Sequence, residues 1–501
     1  MSINPPPAPP WYVIYWRHLV ATSLLVVVVL VVVIVSVYLS QRCGDDASII
    51  DSQCIGVTDG SAGLQNDAVA EVLLKIRDEN QRVESVGPDS WVSVAYMIPL
   101  PRAGADDELT AALRHDLEGA YIAQRRANGD DLRQRPLIRI LVANVGDSST
   151  YARDVNRTLI YMASEGFQAT RLIAAVASGQ SVSALLAALR ELADTGFPVL
   201  SARLTANQLT DPALLSSPIT RISPTNSDQA VSLAAYLKST SAQSAIVVRS
   251  SDPNDSYSQS LADAFTEAFP DAEHSLLQPQ EVYDPGATSG VMRLLLANLC
   301  SRNPQPDAIF FAGRSAELRE LIKALPYRSC LDQAVTIVSG DDAVDFATSI
   351  SGDAELSRGL QANATVTYSA LAHPDAWTNP EAQDNFNPEA TYPFQETCVG
   401  QECFFAMFPG DSLDDGAAIM GHDAILTVAT AARFGPVAQT LRRLHGELSV
   451  PGASGWLSFA PDGSAINKAV PVLQVTAEGV VHLVALSSPL GVPCYPGRQP
   501  C

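Results

Sequence analysis

From Trp91 onward the chain alternates short apolar runs with longer amphipathic segments, and this alternation constrains the fold more than any other feature. Apolar runs of about four to eight residues are typical of buried strands, and an apolar period of about 3.6 residues is typical of helices. The elements predicted for the first run are, in order, strand Trp91–Leu100, helix Glu108–Asn128, strand Leu137–Asn144, helix Tyr151–Glu165, strand Ala169–Ala175, helix Ser181–Thr195 and strand Phe197–Leu200. This order predicts parallel sheets with helices on both faces.

A second run of the same kind begins at Ala230. Its predicted elements are helix Ala230–Ser239, strand Ala245–Arg249, helix Tyr257–Phe269, helix Ser289–Leu299, strand Ala308–Ala312, helix Ala316–Leu325 and strand Ala334–Ser339. Two such runs hold more residues than one doubly wound sheet normally accommodates. The sequence therefore predicts the α/β class, with two doubly wound parallel-sheet lobes and a central cleft. Ligands of such sheets bind beyond the carboxyl ends of the strands.

An apolar segment precedes these runs. It comprises residues 19–39, twenty-one residues without a charge. About 20 apolar residues in a helix cross the hydrocarbon core of a bilayer, so we interpret 19–39 as a transmembrane helix and signal anchor. A cleaved signal peptide is the competing interpretation, but the run is longer than usual and no small-x-small cleavage site follows it. A lipoprotein is a further alternative, and Arg42 directly before Cys43 argues against it.

All eight cysteines follow the apolar segment, and none of them shows a metal-binding spacing. An even number of cysteines without such a spacing favours disulfides in an oxidising compartment. The cysteines fall into couples that are adjacent in the order of the sequence, and we predict a disulfide within each couple. The predicted disulfides join Cys43 to Cys54, Cys300 to Cys330, Cys398 to Cys403, and Cys494 to Cys501. We therefore expect a single-pass protein of the cell membrane whose large C-terminal part is extracellular.

The composition is that of an acidic globular protein, with a formal net charge of −22 and 47% hydrophobic residues. A negative surface disfavours nucleic acids as partners. Among the 32 basic residues arginine far outnumbers lysine, which we associate with GC-rich, actinobacterial-like genomes.

The order of the motifs resembles that of type I periplasmic binding proteins of the branched-chain amino acid (Leu/Ile/Val) receptor group, the substrate-binding proteins of ABC transporters. The resemblance lies in the ordered series of segments rather than in one motif, and the segments are Tyr161–Leu237, Asp252–Phe265, Ala308–Leu325, Gly421–Phe434 and Ser454–Val475. It implies two lobes, and we divide the chain into a cytoplasmic Pro-rich tail (1–18), the transmembrane helix (19–39), an extracellular stalk with a helix over Asp67–Val83 (40–90), lobe 1 (91–222 and 369–445), lobe 2 (223–368 and 446–485) and a C-terminal disulfide tail (486–501). The helix over Asp67–Val83 has an apolar face at Val69, Val72, Leu73 and Ile76, which we expect to pack on the domain that follows.

The resemblance also implies ligand-binding residues. In lobe 1, Ser178 precedes a helix whose free amides could hold a carboxylate, and Ser201 and Thr205 belong to the S-x-x-x-T loop that grips such ligands. In lobe 2, Tyr257 matches an aromatic residue, and Asp341 matches an acid that pairs with a ligand ammonium.

Arg314 departs from the family pattern, because relatives often carry an aromatic residue there. An arginine at this position could clamp an anion in bidentate fashion, or it could point into water. An amino acid as ligand is therefore only an expectation from the family.

The sequence contains no complete catalytic motif. The segment Asp411–Gly416 resembles the GDSL block of serine esterases, but no D-x-x-H follows Ser412 to supply a base. We interpret the segment as the cap before a helix over Ala417–Phe434. We predict no enzymatic activity, no cofactor and no metal.

Two functions from different classes remain. The first is a membrane-anchored solute-binding receptor that closes over a small polar ligand, possible partners being an ABC permease or a membrane sensor. The second is an interaction or sensory ectodomain that keeps the fold and has lost the small-molecule pocket. A cleft lined by Ser178, Thr205, Tyr257 and Asp341 with open space between them would favour the first. A cleft filled by Arg203, by Arg314 or by the polar insertion over 373–401 would favour the second.

Overall fold

A computed structural model describes residues 15–16, 20–30, 42–44, 46–102, 104, 107–164, 170–210, 219–380, 386–444, 448–487 and 493–494. Its two large sheets form the centres of two lobes. The sheet of lobe 1 has the order β1-β2-β4-β3-β5-β6-β7, and its strands are β1 Asp46–Ile50, β2 Gln53–Thr58, β3 Trp91–Ile98, β4 Leu137–Asn144, β5 Leu172–Ala177, β6 Val199–Ser201 and β7 Thr220–Arg221. Strands β3 to β7 pair in parallel, whereas the β1–β2 hairpin adds to β4 in antiparallel fashion.

Helices cover both faces of this sheet. Along β3 the side chains of Val94, Tyr96 and Ile98 face one hydrophobic core, and those of Ala95 and Met97 face another, as the two-residue period of a strand requires. The helices of lobe 1 are α1 Asp67–Glu84, α2 Asp107–Asn128, α3 Ala152–Ala163, α4 Ser183–Asp194, α11 Pro388–Thr391, α12 Phe404–Met407, α13 Ala417–Phe434 and α14 Val437–Leu441. Helices α2 and α13 pack closely: a Cβ built on Gly119 would lie 1.8 Å from the carbonyl oxygen of Ala418.

The sheet of lobe 2 is built in the same way. Its order is β10-β8-β11-β12-β13-β16-β17-β18, with β9 beside β8, and its strands are β8 Ser244–Ser250, β9 Ser275–Leu276, β10 Glu281–Tyr283, β11 Ala308–Ala312, β12 Val335–Ser339, β13 Ala364–Ser369, β16 Pro471–Val475, β17 Val481–Ser487 and β18 Pro493–Cys494. Strands β8 to β13 are parallel, and β16 to β18 continue the sheet in antiparallel fashion. The helices that cover it are α5 Asn226–Ser239, α6 Ser256–Ala268, α7 Ser289–Ser301, α8 Ser315–Ala324, α9 Ala343–Ser349 and α10 Ala354–Gln361. The α/β class with two mixed, mainly parallel sheets is confirmed.

The chain crosses between the lobes after β7, after β13 and before β16. A small hairpin, β14 Val450–Gly452 with β15 Gly455–Leu457, lies before the last crossing. Several of its apolar residues belong to the core of lobe 1, as do those just after it. The second segment of lobe 1 therefore extends beyond residue 445, which the sequence gives as its end.

The predicted stalk over 40–90 requires a larger correction. Residues 46–58 form the β1–β2 hairpin at the edge of the lobe 1 sheet, which the sequence does not predict. Val69, Val72 and Ile76 of α1 are buried in the core of lobe 1, in agreement with the predicted packing of this helix. The described part of this segment is therefore an integral part of lobe 1. The physical reason is that β2 is buried along its whole length and pairs over 56–58 with β4, a partner far away in the sequence.

Three of the four predicted disulfides are present, joining Cys43 to Cys54, Cys300 to Cys330 and Cys398 to Cys403. The fourth predicted pair includes Cys501, which lies outside the described residues. The first disulfide fixes the chain that follows the apolar segment to the edge of lobe 1.

Of the apolar segment, the structure describes residues 20–30, which are helical and have exposed valine and leucine side chains. The other positions of the predicted span 19–39 lie outside the described residues. No helix in the described part of the chain is both long and apolar enough to cross a bilayer.

Candidate functional site

The loops that follow the carboxyl ends of the strands in one lobe face the corresponding loops of the other lobe. Between them lies a small polar cavity, the central cavity, with a volume of about 30 Å³. This is space for about one or two water molecules. Its lining residues are Leu109, Gly179, Gln180, Ser181, Arg203 and Thr205 of lobe 1 and Tyr257, Arg314, Asp341, Asp342 and Asp345 of lobe 2.

Arg314 joins the two lobes. Its guanidinium pairs with Asp255 at 2.6 Å and with Asp342 at 3.2 Å, and it donates a hydrogen bond of 3.1 Å to the carbonyl oxygen of Ser181 across the cleft. The guanidinium also lies over the ring of Tyr257, 4.6 Å from its centre. Arg314, the residue that departs from the family pattern, therefore binds carboxylates of its own chain.

Asp341 is held by a glutamine of lobe 2. Its carboxylate accepts a hydrogen bond of 2.8 Å from Gln229, and its own N–H donates to the Gln229 amide oxygen at 3.0 Å. Thr205 Oγ1 of lobe 1 lies 3.5 Å from the same carboxylate. Burial raises the pKa of Asp341 to about 6, although the bond from Gln229 opposes the shift.

Tyr257 is buried beneath Arg314. Its hydroxyl accepts a hydrogen bond of 3.2 Å from the N–H of Asp342, and its own N–H donates to the Ser181 carbonyl at 3.3 Å. The hydroxyl fits because residue 340 is glycine: a Cβ built there would lie 2.3 Å from the phenol oxygen.

The structure does not place Ser178 and Ser201 at the cavity. Both are buried within lobe 1, and the Ser201 hydroxyl accepts a hydrogen bond from the N–H of Leu204. The serine that lines the cavity is Ser181, whose hydroxyl accepts hydrogen bonds from the N–H groups of Thr205 and Ala206. Of the six predicted ligand-binding residues, the cavity therefore brings together Thr205, Tyr257, Arg314 and Asp341.

Arg203 is the main group that the family pattern does not assign. Its Nη1 is buried and has no hydrogen-bond partner among the described residues. Burial alone would lower the pKa of Arg203, but nearby carboxylates outweigh this effect and raise it. These carboxylates belong to Asp116, Asp345, Asp415 and Asp341. Arg203 lies two residues after the end of β6, and this position is the one sequence signal that places Arg203 at the cleft.

A second and larger space lies beside the central cavity, on the other side of Arg314. This side pocket has a volume of about 340 Å³. Its lining residues are Ser148, Val182, Ser183 and Ala184 of lobe 1 and Ser250, Asp252, Asn254, Asp255, Tyr283, Pro285, Arg314 and Glu317 of lobe 2. Of these lining residues only Arg314 is among the predicted ligand-binding residues, so the sequence does not predict this pocket.

One group of side chains in the described part of the chain has the composition of a metal site. Potential ligand atoms of His115, Glu118 and Asp411 lie within 4.8 Å of one another. The Arg114 guanidinium, however, lies 2.6 Å from Asp411 and 3.1 Å from Nε2 of His115. Because this cation already neutralises the group, we assign no metal to it.

No family model matches the chain, and no curated protein sequence matches it significantly. Solved structures do match it. A leucine-binding protein from Thermotoga maritima superposes with a TM-score of 0.57 at 19% identity, covering 79% of this chain and 99% of that one. An ABC transporter substrate-binding protein from Desulfitobacterium hafniense in complex with leucine gives 0.57 at 17% identity, covering 78% and 99%.

A branched-chain amino acid transporter substrate-binding protein from Streptococcus pneumoniae in complex with isoleucine gives a TM-score of 0.54 at 16% identity, with 79% of this chain and 99% of that chain covered. All three are binding proteins. At such identities the likeness concerns the fold. The chain therefore has the fold of type I periplasmic binding proteins, which confirms the architecture that the motif order implies.

Proposed function

We propose that this chain is a solute-binding protein whose two lobes close over a small polar ligand. The observation that carries the proposal is the meeting of four predicted site residues, Thr205, Tyr257, Arg314 and Asp341, in one polar cavity between the lobes. In an open form the same groups would face solvent and be available to a ligand. Binding then shifts the population toward the closed form.

The ligand is amino-acid-like in this proposal, because the three matched proteins bind leucine or isoleucine. Arg203 and Asp341 offer charges of both signs, which suit a zwitterion. The lobes contact each other around the central cavity, for example through Arg314 and the carbonyl of Ser181. A ligand must replace such contacts when the lobes close over it, and this limits the size of the ligand.

The proposal includes a membrane anchor formed by residues 19–39 and an extracellular position for both lobes. It is supported by the uncharged apolar sequence of the segment and by three disulfides in the described residues. A tethered receptor of this kind would deliver its ligand to, or signal through, a neighbouring membrane protein such as an ABC permease or a sensor.

A thermal-shift screen of the full-length protein against amino acids, amides and small carboxylates tests the proposal. A ligand present at about 100 times its dissociation constant stabilises the protein by about 2.7 kcal/mol. Thr205→Ala should then weaken binding of the hit by roughly 1 to 3 kcal/mol, because a buried polar group of the ligand loses its partner. An affinity unchanged by this substitution would remove Thr205 from the site.

A second function is favoured by one observation, the small volume of the central cavity, about 30 Å³. Arg203 and Arg314 both line this cavity, as expected for an interaction or sensory ectodomain that has lost the small-molecule pocket. A complete screen in which no compound shifts the melting temperature would support this function and contradict solute binding.

A further inference from the structure

The side pocket differs from the central cavity in size and in charge. Its volume of about 340 Å³ lies within the range of small-molecule sites, roughly 300 to 1,000 Å³. Both lobes contribute to its wall, so a molecule bound there would contact both sides of the closing cleft. The lobe 1 wall contains the apolar side chains of Val182 and Ala184, and Pro285 continues it from lobe 2.

The charged groups of the side pocket are mainly acidic. Three carboxylates line it, those of Asp252, Asp255 and Glu317, against the single guanidinium of Arg314. Arg314 is already paired with Asp255 and, outside the pocket, with Asp342. The carboxylates of Asp252 and Glu317 form no ion pair with a described residue; they accept hydrogen bonds from the backbone N–H groups of Asn254 and Gly286. The pocket therefore carries an uncompensated negative charge.

A buried phenol provides an independent indication of a ligand. Tyr283 is only 3% exposed, and its hydroxyl has no hydrogen-bond partner among the described residues. Its ring stacks on Phe311, and a Cβ at Gly313 would lie 1.8 Å from its hydroxyl oxygen. Buried polar groups without a partner are rare in native proteins because each costs free energy. Gly313 leaves room for this hydroxyl at the wall of the side pocket, so a ligand atom there would supply the partner that no described residue provides.

We infer that the side pocket binds a small organic cation, an amine or a guanidine. Its charged group pairs with Asp252 and Glu317, its carbon skeleton lies against Val182 and Pro285, and a polar atom accepts or donates a hydrogen bond at Tyr283. The inference rests on the proposed function, solute binding between the lobes, and places the ligand on the side of Arg314 opposite the central cavity.

Isothermal titration of the full-length protein at low salt tests the inference, with putrescine and L-arginine as cationic probes and L-leucine and L-glutamate as counter-probes. We expect saturable binding of a cationic probe. Asp252→Asn should weaken it about tenfold, and Tyr283→Phe by about three- to tenfold. The melting temperature of ligand-free Tyr283→Phe should not fall, because the lost hydroxyl has no partner; this separates a binding role from a structural one. Asp263→Asn, which removes an exposed acid of α6, is the charge-matched control and should leave the affinity unchanged.

The outcomes separate this inference from the proposal on which it rests. Cation binding that is weakened by Asp252→Asn and unaffected by Thr205→Ala supports the side pocket. Leucine binding that is lost in Thr205→Ala, without any cation binding, overturns the inference and leaves solute binding in place. Cation binding that ignores both Asp252→Asn and Tyr283→Phe also overturns it. If none of the four probes binds, the inference fails, and solute binding fails with it only when the complete thermal-shift screen also finds no ligand.

Discussion

The central cavity and the side pocket are two halves of one cleft, and each places a tyrosine against a glycine at the end of a strand of lobe 2. Tyr257 lies against Gly340, after β12, and Tyr283 lies against Gly313, after β11. In the central cavity the hydroxyl of Tyr257 has a partner, the N–H of Asp342. In the side pocket the hydroxyl of Tyr283 has none among the described residues.

The charges differ in the same way. Asp341 and Asp342 of the central cavity are bound by Gln229 and Arg314, whereas Asp252 and Glu317 of the side pocket receive only backbone hydrogen bonds. Groups that already have partners stabilise the closed protein, and a ligand must compete with them. Groups that lack partners gain most from a ligand. The difference indicates that a ligand in the central cavity must replace contacts of the protein with itself, whereas a ligand in the side pocket meets carboxylates that have no ion-pair partner among the described residues.

Arg314 forms the wall between the two halves, and its removal should have the largest effect. Arg314→Ala leaves the carboxylates of Asp255 and Asp342 buried without their cation. We expect the free energy of unfolding to fall by about 3 kcal/mol, the lower end of what breaking a buried ion pair costs. Urea denaturation at neutral pH measures this effect, and small-angle scattering should show a larger radius of gyration because the bond to the Ser181 carbonyl is lost.

Arg293→Ala is the matched control for this substitution. Arg293 is exposed and lies over the ring of Tyr327, 3.7 Å from its centre, with no carboxylate partner among the described residues. Arg293→Ala should lower the free energy of unfolding by less than about 1 kcal/mol. Equal losses in the two variants would show that Arg314 is not a link between the lobes.

Asp341→Asn should change how stability depends on pH. Burial raises the folded-state pKa of Asp341 to about 6, above the value of about 3.9 in an unfolded chain. Between about pH 4 and 6 the folded protein thus binds more protons at this group than the unfolded chain, so this contribution to stability decreases as the pH rises through that window. The variant should lose this decrease and be more stable than the wild type at pH 7 by roughly 1 to 2 kcal/mol, discounted for partial exposure.

Asp353→Asn provides a control of opposite sign. Burial would raise the pKa of Asp353, but Lys323 and the N–H groups of α10 outweigh it and lower the pKa. Its contribution to stability is present above the unfolded pKa and is lost as the pH falls through the folded one. Denaturation curves at pH 7 should therefore show a higher free energy of unfolding than the wild type for Asp341→Asn and a lower one for Asp353→Asn. At pH 4 both differences should be smaller. Parallel shifts would contradict the assignment of a raised pKa to Asp341.

Much of the fold could be predicted because its strands are nearly uniformly apolar and its helices are amphipathic. The predicted bounds of Leu137–Asn144, Ala308–Ala312 and Ala417–Phe434 agree with the structure residue for residue. The hairpin over 46–58 could not be found in this way. Its strands are short and contain turn-forming residues, and the partner that makes them a sheet edge, β4, lies about 80 residues further along the chain.

The candidate site could be predicted only in part for a related reason. Thr205, Tyr257, Arg314 and Asp341 each follow a strand, and the carboxyl ends of parallel strands meet in space. The direction of a loop side chain has no periodic signal, so Ser178 and Ser201 could not be distinguished from Ser181. The side pocket is lined by residues of both lobes that are far apart in the sequence, such as Ser148 and Glu317, and no local pattern encodes their meeting.

The two tyrosines offer the smallest effect and the most direct test of the comparison. Without ligand, Tyr257→Phe should cost about 0.5 to 1.5 kcal/mol, because the N–H of Asp342 loses its acceptor inside the protein. Tyr283→Phe should change the free energy of unfolding by less than about 0.5 kcal/mol in either direction, because no described residue loses a partner. Both changes remove one oxygen from a buried ring beside a glycine, so each controls for the other in urea denaturation. If Tyr283→Phe costs as much as Tyr257→Phe, the hydroxyl of Tyr283 is already satisfied within the protein, and the two halves of the cleft do not differ in the way that ligand binding in the side pocket requires.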